Sequence, residues 1–346
     1  MMQDLFVIGI NHLRASVSCR ERVAVPREEL LETLRYLRHW AGLDELVIVS
    51  TCSRVEAICL GNVEAASLVR EWFANRTGAE DAGALYERRG AQAVEHVFRV
   101  AAGLDSWILG EAEILAQVKQ AYHFALDHAL TGRVLNRVLQ SALAAGKAVR
   151  GRTGLQNGIH SIGGAAALLA RRIFGELRAG TVVVFGAGQA AEAVVRHLAA
   201  KNFKDVVVAN RTLEKARAVA GPLGARAVSF EEGIGLLARA EVAVFAAAGP
   251  KALLTEETLR SLAAPRRRPL FLIDLGLPRN VEEGCARVPE TYLYDLDDLQ
   301  GIVQESMGRK ASEKEKAEAL AAEAARDCCV EFAKPAATAA AGGGRR

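Results

Sequence analysis

The stretch that most constrains this chain is Thr181-Val182-Val183-Val184-Phe185, which runs without a charge directly into Gly186-Ala187-Gly188-Gln189-Ala190-Ala191. Three adjacent β-branched residues favour a strand buried on both faces, and such strands belong to parallel sheets covered by helices. Residues 206–209, 227–230, 242–246 and 270–274 are further short apolar runs with helical stretches between them. That alternation implies an α/β fold, a Rossmann-like doubly wound parallel sheet. The glycines match G-x-G-x-x-G/A. Gly186 allows the tight turn, Gly188 lets backbone amides approach a pyrophosphate, and Ala191 permits close helix–strand packing at a helix N-terminus that favours phosphate charge. The alternative, a glycine turn that binds no dinucleotide, is outweighed by what ends the second strand, Asn210-Arg211-Thr212. An acidic residue there would suit NAD, whereas Arg211 would pair with a 2′-phosphate, so NADPH is the expected cofactor.

The first half of the chain mixes strands and helices. Residues 5–10 and 54–60 read as strands, as do 45–51, and 27–40 reads as an amphipathic helix after Pro26. Further helices are expected from about 92, from 111 to 130 and from 133 to 150. Between two of the strands lies Ser50-Thr51-Cys52-Ser53-Arg54-Val55-Glu56. In an extended chain Arg54 would share a face with Cys52, where its charge would either favour the thiolate or hold a substrate carboxylate. A sulfur nucleophile in one chain with a hydride-donor site suggests an acyl group taken as a thioester and then reduced. For an isolated cysteine, simple burial is the competing explanation, and Cys59, inside an apolar run, is assigned to the core. His96 and His12 are open between satisfied core histidines and functional ones.

Composition narrows the setting. A formal charge of +3, 51% hydrophobic and 25% charged residues describe an ordinary globular protein, and the total charge neither diagnoses nor excludes nucleic-acid binding. The six cysteines show no Cys-x-x-Cys spacing, so neither a metal site nor a disulfide framework is expected. There is no secretory signal and no membrane-length apolar run, which makes the cytoplasm the expected compartment. The expected division is a catalytic part over 1–150, a nucleotide-binding part over 151–300 that opens on a Gly/Ser/Asn/Thr-rich hinge, an exposed Lys/Glu/Ala helix over 301–334 ended by Pro335, and a disordered tail over 335–346.

Several motifs in order resemble glutamyl-tRNA reductase: Gly9-Ile10-Asn11-His12, the Cys52 segment, Gly103-Leu104-Asp105-Ser106, Gly110-Glu111, Gln117-Val118-Lys119, the glycine turn with Asn210-Arg211-Thr212, Ile273-Asp274-Leu275-Gly276-Leu277-Pro278-Arg279, and Tyr294-Asp295-Leu296-Asp297-Asp298-Leu299. The resemblance runs from about residue 5 to residue 310. It implies NADPH-dependent reduction of glutamyl-tRNA(Glu) to glutamate-1-semialdehyde, the entry to 5-aminolevulinate and tetrapyrroles, with a glutamate-1-semialdehyde aminotransferase as a possible recipient of the product. It makes Cys52 the nucleophile and His96 important to the reaction. Thr51, Ser53, Arg54, Ser106, Glu111, Ala112, Glu113 and Gln117 fall where the family contacts the glutamyl group, Arg54 toward its side-chain carboxylate and Glu111 or Glu113 toward its α-ammonium. Ser53 stands where the family usually has asparagine. The family forms a V-shaped homodimer through a helical C-terminal domain; here the helix stops near Pro335, which counts against dimerisation by that route. The basic clusters in view for tRNA are Lys147, Arg150 and Arg152, and Arg266-Arg267-Arg268, for which a solvated helix face and a charged loop are the competing and simpler readings. Rival readings are a shikimate-type dehydrogenase, whose nucleotide half is similar but which needs no cysteine, and a non-catalytic tRNA- or partner-binding paralogue.

Overall fold

The computed structural model describes residues 3–156, 162–174, 180–200, 203, 205–247, 249, 251–262, 268–299 and 311–333. Parts of the expected hinge, Arg266 and Arg267, Pro335 and the tail lie outside the described residues.

Two sheets organise the chain. The first is antiparallel, in the order β2-β3-β1-β4, from β1 (Leu5–Asn11), β2 (Glu45–Ser50), β3 (Arg54–Leu60) and β4 (Tyr86–Arg89). Every residue of β1 and β3 is buried, so these strands are covered on both faces, Arg54 and Glu56 of β3 included. Around them run α1 (Val17–Val23), α2 (Leu30–Trp40), α3 (Val63–Thr77), α4 (Ala91–Ala101), α5 (Ala112–Asp127) and α6 (Arg133–Arg152). Their apolar faces meet the sheet in one core that includes Phe6, Ile8, Leu34, Ile58, Phe73, Phe98 and Leu135. Cys59 is fully buried there, as expected.

A carboxylate anchors this sheet to its helices. Glu45, the first residue of β2, accepts the backbone N–H groups of Gly132 (2.7 Å), Val134 (3.0 Å) and Leu135 (2.8 Å) at the start of α6. Donors left over at a helix N-terminus are thus satisfied by a charge of favourable sign.

The second sheet is wholly parallel, in the order β10-β9-β8-β5-β6-β7. It comprises β5 (Thr181–Phe185), β6 (Asp205–Asn210), β7 (Arg226–Ser229), β8 (Val242–Phe245), β9 (Leu270–Asp274) and β10 (Thr291–Tyr294). With α7 (Ile162–Phe174), α8 (Gln189–Ala200), α9 (Leu213–Ala220), α10 (Phe230–Leu236) and α11 (Glu256–Leu262), it forms the doubly wound arrangement that the sequence predicts. The order reverses between β5 and β8, so the glycine turn after β5 sits at the topological switch point.

Five elements depart from the sequence expectations. The helix placed at 27–40 begins at Leu30. Strands β4 and β10 and helix α3 were not anticipated; β4 reads Tyr-Glu-Arg-Arg, and pairing with β1 rather than any apolar alternation makes it a strand. The last helix, α12 (Ala311–Ala333), is not exposed throughout. Ala317, Ala321, Ala325 and Cys328 form a small-residue stripe that is buried in the contact with α4 and α6. Their four- and three-residue spacing puts them on one helix face, and small side chains let the helices approach closely. Ion pairs Arg99–Glu318 (3.3 Å) and Arg137–Glu331 flank the stripe.

Glu45→Ala should lower stability by about 2–3 kcal/mol, because three buried N–H groups lose a charged acceptor. Denaturant unfolding at pH 7 reads this directly.

Candidate active site

Cys52 occupies the tip of the β2–β3 hairpin. Thr51 builds the turn: its N–H donates to the Arg54 carbonyl (2.8 Å), and its hydroxyl oxygen accepts from the N–H groups of Ser53 and Arg54 (3.2 Å each). The Ser53 carbonyl accepts from the His12 N–H at 2.8 Å, which ties the turn to the end of β1. Cys52 is half-buried and packs against the cluster that contains Val17, Trp107 and Ile108, at the boundary between the two sheets. It therefore stands in a turn, and not in the extended geometry that would align it with Arg54.

Arg54 shares its face with Glu56 instead, two residues along β3. Both are fully buried, and Arg54 Nη1 donates to Glu56 Oε1 at 2.7 Å. The same oxygen accepts the Tyr86 hydroxyl of β4 and faces His96 Nε2 of α4 at 3.0 Å. Burial opposes the charge on Glu56, but Arg54, His96 and Tyr86 outweigh it and hold the carboxyl well below the usual carboxylate range. An ionised acceptor assigns the hydrogen of His96 to Nε2, leaving Nδ1 turned toward Asp105 Oδ2 at 3.8 Å. Arg54 Nη2 donates to the Asp105 carbonyl at 2.5 Å, and Arg99 Nη2 holds the Asp105 carboxylate at 2.8 Å. A cleft of about 630 Å³ opens on this side, lined among others by Asn11, Arg14, Tyr86, Gln92, His96 and Asp105. Cys52 is not in its wall.

Around the thiol, charge is arranged unevenly. Burial first, then Glu111 and Glu113, push the Cys52 thiol up to about 12, while Arg20 of α1 acts in the opposite direction. Burial and Glu113 push Glu111 up to about 7, against the pull of Ser106 and Arg54. Ser106 and Glu111 are both buried; Glu113 and Gln117 are half-buried on the first turns of α5, where Ala112 is the opening residue. Burial and the Arg54 and Arg20 charges lower His12 to about 3, so its imidazole is neutral at physiological pH.

Buried polar atoms without partners collect here: His12 Nδ1, Arg20 Nε, Arg54 Nε and Trp107 Nε1. His12 meets Trp107 edge-on at 6.0 Å, and the Arg20 guanidinium lies 5.9 Å from the Trp107 ring centre. Unsatisfied buried donors are costly, and their convergence marks a place built to receive polar ligand groups. Arg20, Glu56, Tyr86, Asp105 and Trp107 were not singled out by sequence reasoning. Only their convergence in space identifies them; Glu56, two residues beyond Arg54 in a strand, carried a period-two signal that could have been used.

The glycine turn is shaped to receive a dinucleotide. Gly186 has φ +118°, and a Cβ there would lie 2.4 Å from the Ala246 carbonyl oxygen. At Gly188 a Cβ would meet nothing within 4 Å, so the backbone there faces open space. Ala191 is fully buried under the sheet, Ala187 and Ala190 are half-buried, and Gln189 is exposed at the start of α8. Asn210 closes β6 and donates to the Thr212 carbonyl at 3.0 Å, which leaves Arg211 and Thr212 exposed. The Arg211 guanidinium reaches toward Gly249 beyond β8. Of the basic clusters, Lys147 and Arg152 are exposed at the end of α6, whereas Arg268 pairs with Glu241 at 2.8 Å.

A parallel sheet with a glycine turn at its switch point, joined to an antiparallel domain, has the architecture of a dinucleotide-dependent oxidoreductase. The family model for the glutamyl-tRNAGlu reductase N-terminal domain matches residues 8–153, and that for shikimate / quinate 5-dehydrogenase matches residues 168–302. The chain is 41% identical to the glutamyl-tRNA reductase of Deinococcus radiodurans, over 94% of this chain and 91% of that protein. It is 37% identical to the Akkermansia muciniphila enzyme of the same name, over 90% and 94% respectively. Among solved structures, glutamyl-tRNA reductase from Methanopyrus kandleri is similar at TM-score 0.54 and 35% identity, covering 95% of this chain and 80% of that one. The chain belongs to the glutamyl-tRNA reductase family. The match to its N-terminal domain sets aside a shikimate-type dehydrogenase, to which only the nucleotide half is similar.

Glu56→Gln should cost about 3 kcal/mol at pH 7, since Arg54 is left buried without its counter-charge. Glu56 is depressed in the folded state, so its contribution is present above the unfolded value of about 4.5 and is lost as pH falls. Acid titration of unfolding should therefore show the variant and the parent converging below about pH 4. Arg211→Ala should weaken NADPH roughly 10- to 100-fold and NADH little; equal losses in a binding titration would remove Arg211 from cofactor selection.

Proposed function

We propose that the chain reduces glutamyl-tRNA(Glu) to glutamate-1-semialdehyde through a thioester on Cys52. The observation that carries this reading is the gathering of buried, unpartnered donors, His12, Arg20, Arg54 and Trp107, around a thiol at the boundary with a nucleotide-type sheet. Such a site suits a small, charged acyl group. Arg54 already holds Glu56 and the Asp105 carbonyl, so what it offers the glutamyl side-chain carboxylate is its Nε–H. Glu111 and Glu113 face the substrate α-ammonium. Burial is the larger cause that holds the Cys52 thiol high, and that pairing offsets the smaller one, the Glu111 and Glu113 charges, so the substrate itself eases thiol ionisation.

The sulfur then attacks the ester carbonyl: the S–C bond forms, the C–O bond to the ribose breaks, and the thiol proton ends on the departing tRNA oxygen. His96 is a positioned hydrogen-bonding group, its ring fixed by Glu56, with Nδ1 on the open side of the cleft. A thioester is a better hydride acceptor than an ester because sulfur donates poorly into the carbonyl. NADPH, when bound at the glycine turn with Arg211 on its 2′-phosphate, supplies the hydride. The chain's residues hold the acyl carbonyl and return the thiolate at Cys52. Thr51 and Ser53 shape the turn that presents the sulfur, and the shorter Ser53 still reaches Thr51 (3.3 Å between hydroxyl oxygens). Gln117 completes the polar wall on α5. An aldehyde product calls for prompt consumption, and an aminotransferase acting on glutamate-1-semialdehyde is the partner this reading favours.

The proposed division follows the two sheets, a catalytic part over 1–150 and a nucleotide part over 151–300, with the small-residue helix as an appendage to the first. Among the described residues no helix is long and apolar enough to cross a membrane. All six cysteines are unbridged, which suits a cytoplasmic enzyme that needs a free thiol.

Incubation with glutamyl-tRNA and NADPH should yield the semialdehyde. Cys52→Ser should abolish reduction and any trapped acyl-enzyme, at least about 1,000-fold below the parent. Full turnover by that variant would eliminate the covalent route.

A further inference from the structure

Two motifs of the nucleotide half have no part in the chemistry described so far: the segment after β9, Leu275-Gly276-Leu277-Pro278-Arg279, and the segment after β10, Asp295-Leu296-Asp297-Asp298-Leu299. Both are built as rigid presenting turns. Asp274 at the end of β9 accepts the N–H groups of Gly276, Asn280 and Val281 at 2.8 Å each, closing the loop that carries Arg279. Asp295 accepts the N–H groups of Asp297 (2.9 Å) and Asp298 (3.2 Å), while the Asp298 carboxylate accepts that of Asp295 (2.9 Å). This reciprocal cap starts a helical turn whose Leu296 and Leu299 are buried, and it turns Asp297 outward.

Both turns end on the same element, helix α1 of the catalytic part. The Asp297 carboxylate accepts the Val17 N–H, at the open N-terminus of α1, and Arg20 Nη2, each at 3.1 Å. Arg20 is fully buried, its Nη1 donating to the Ala15 carbonyl at 2.7 Å, so the contact is shielded from solvent on one side. One residue on, Glu21 accepts the Arg279 N–H at 2.5 Å, with Arg279 Nε 3.6 Å from its second oxygen. Val17 is buried in the same cluster that Cys52 packs against, and Arg20 lies over Trp107. The element gripped by the nucleotide half is thus the one that flanks the thiol.

We propose that Asp297 and Arg279 form a two-point latch on Arg20 and Glu21 of α1, which holds the thiol turn and the nucleotide turn in facing register for hydride delivery. Opposite signs at adjacent α1 positions, met by opposite signs from two separate loops, fix orientation as well as distance. One pair alone would leave a pivot. Asp297, Arg279 and Glu21 touch neither thiol nor dinucleotide in this arrangement; they are positioning residues. Arg20 links the two roles, since the guanidinium held by Asp297 is also the cation that acts on Cys52. The proposal rests on Cys52 as the acyl acceptor.

Asp297→Ala and Glu21→Ala in the full chain test it by three readouts: acyl-enzyme formed on Cys52 from glutamyl-tRNA without NADPH, its reduction in a single turnover when NADPH is added, and the radius of gyration by solution scattering. Expected for Glu21→Ala are acylation and NADPH affinity within about twofold of the parent, reduction slowed about 10- to 100-fold so that acyl-enzyme accumulates, and a larger radius of gyration; Asp297→Ala, which also frees Arg20, should slow reduction by at least about 10-fold more than it changes acylation. Reduction at the parent rate, or acylation lost in the same proportion as reduction, overturns the latch. A parent enzyme that forms no acyl-enzyme would instead sink the Cys52 reading, and an unchanged radius of gyration in the variants would then decide against the latch on its own. If Asp297→Ala does not fold, Glu21→Ala, at a partly exposed position, carries the same comparisons.

Discussion

The buried pair Arg54–Glu56 is the interaction on which the catalytic half depends. A guanidinium and a carboxylate removed from water are tolerable only if each finds further partners, and here they recruit four elements. Glu56 gathers Arg54 of β3, Tyr86 of β4 and His96 of α4 on one oxygen, and Arg54 reaches the Asp105 carbonyl beyond α4. Edge strand β4, which has no apolar pattern of its own, is drawn into place by Tyr86. The orientation of His96 follows from the same carboxylate. A network of this kind costs more to leave half-made than to omit, so it specifies one arrangement of the strands and helices around the thiol.

That network also determines what the site can offer a substrate. With an N–H of each terminal nitrogen engaged, Arg54 is held rigidly and its Nε–H is left without a partner. The Cys52 thiol is pushed upward by burial and by Glu111 and Glu113, a state suited to waiting rather than reacting. An incoming ammonium changes that balance where an uncharged ester would not. In the proposed mechanism, selectivity for an aminoacyl group and activation of the nucleophile share one electrostatic cause.

The nucleotide half works on a different principle. Its sheet is apolar along the middle of its strands and covered on two sides, its turn is shaped by Gly186, and its charged side chains stand at strand ends and in loops. Asp274 and Asp295 spend their oxygens on backbone N–H groups, which stiffens the loops after β9 and β10 where they meet α1. Charges that look like solvated loop residues in one dimension are contacts between halves in three.

The residues themselves determined the parallel sheet, the glycine turn, the preference implied by Arg211 and the position of Cys52 between two strands. Those features are local: β-branched runs, a G-x-G-x-x-A turn and a strand–turn–strand junction act over a few residues. The Glu56 hub, the partnering of Arg54, the unpaired donors of His12, Arg20 and Trp107, and the grip of Asp297 and Arg279 on α1 join positions from 2 to 280 residues apart. The packing of α12 through Ala317, Ala321 and Ala325 likewise needs α4 and α6 to be in place before a lysine- and glutamate-rich segment has an inner face. Only the tertiary structure decides these, because burial sets the strength and sign of each charge's effect, and burial is a property of neighbours that the order of residues does not name.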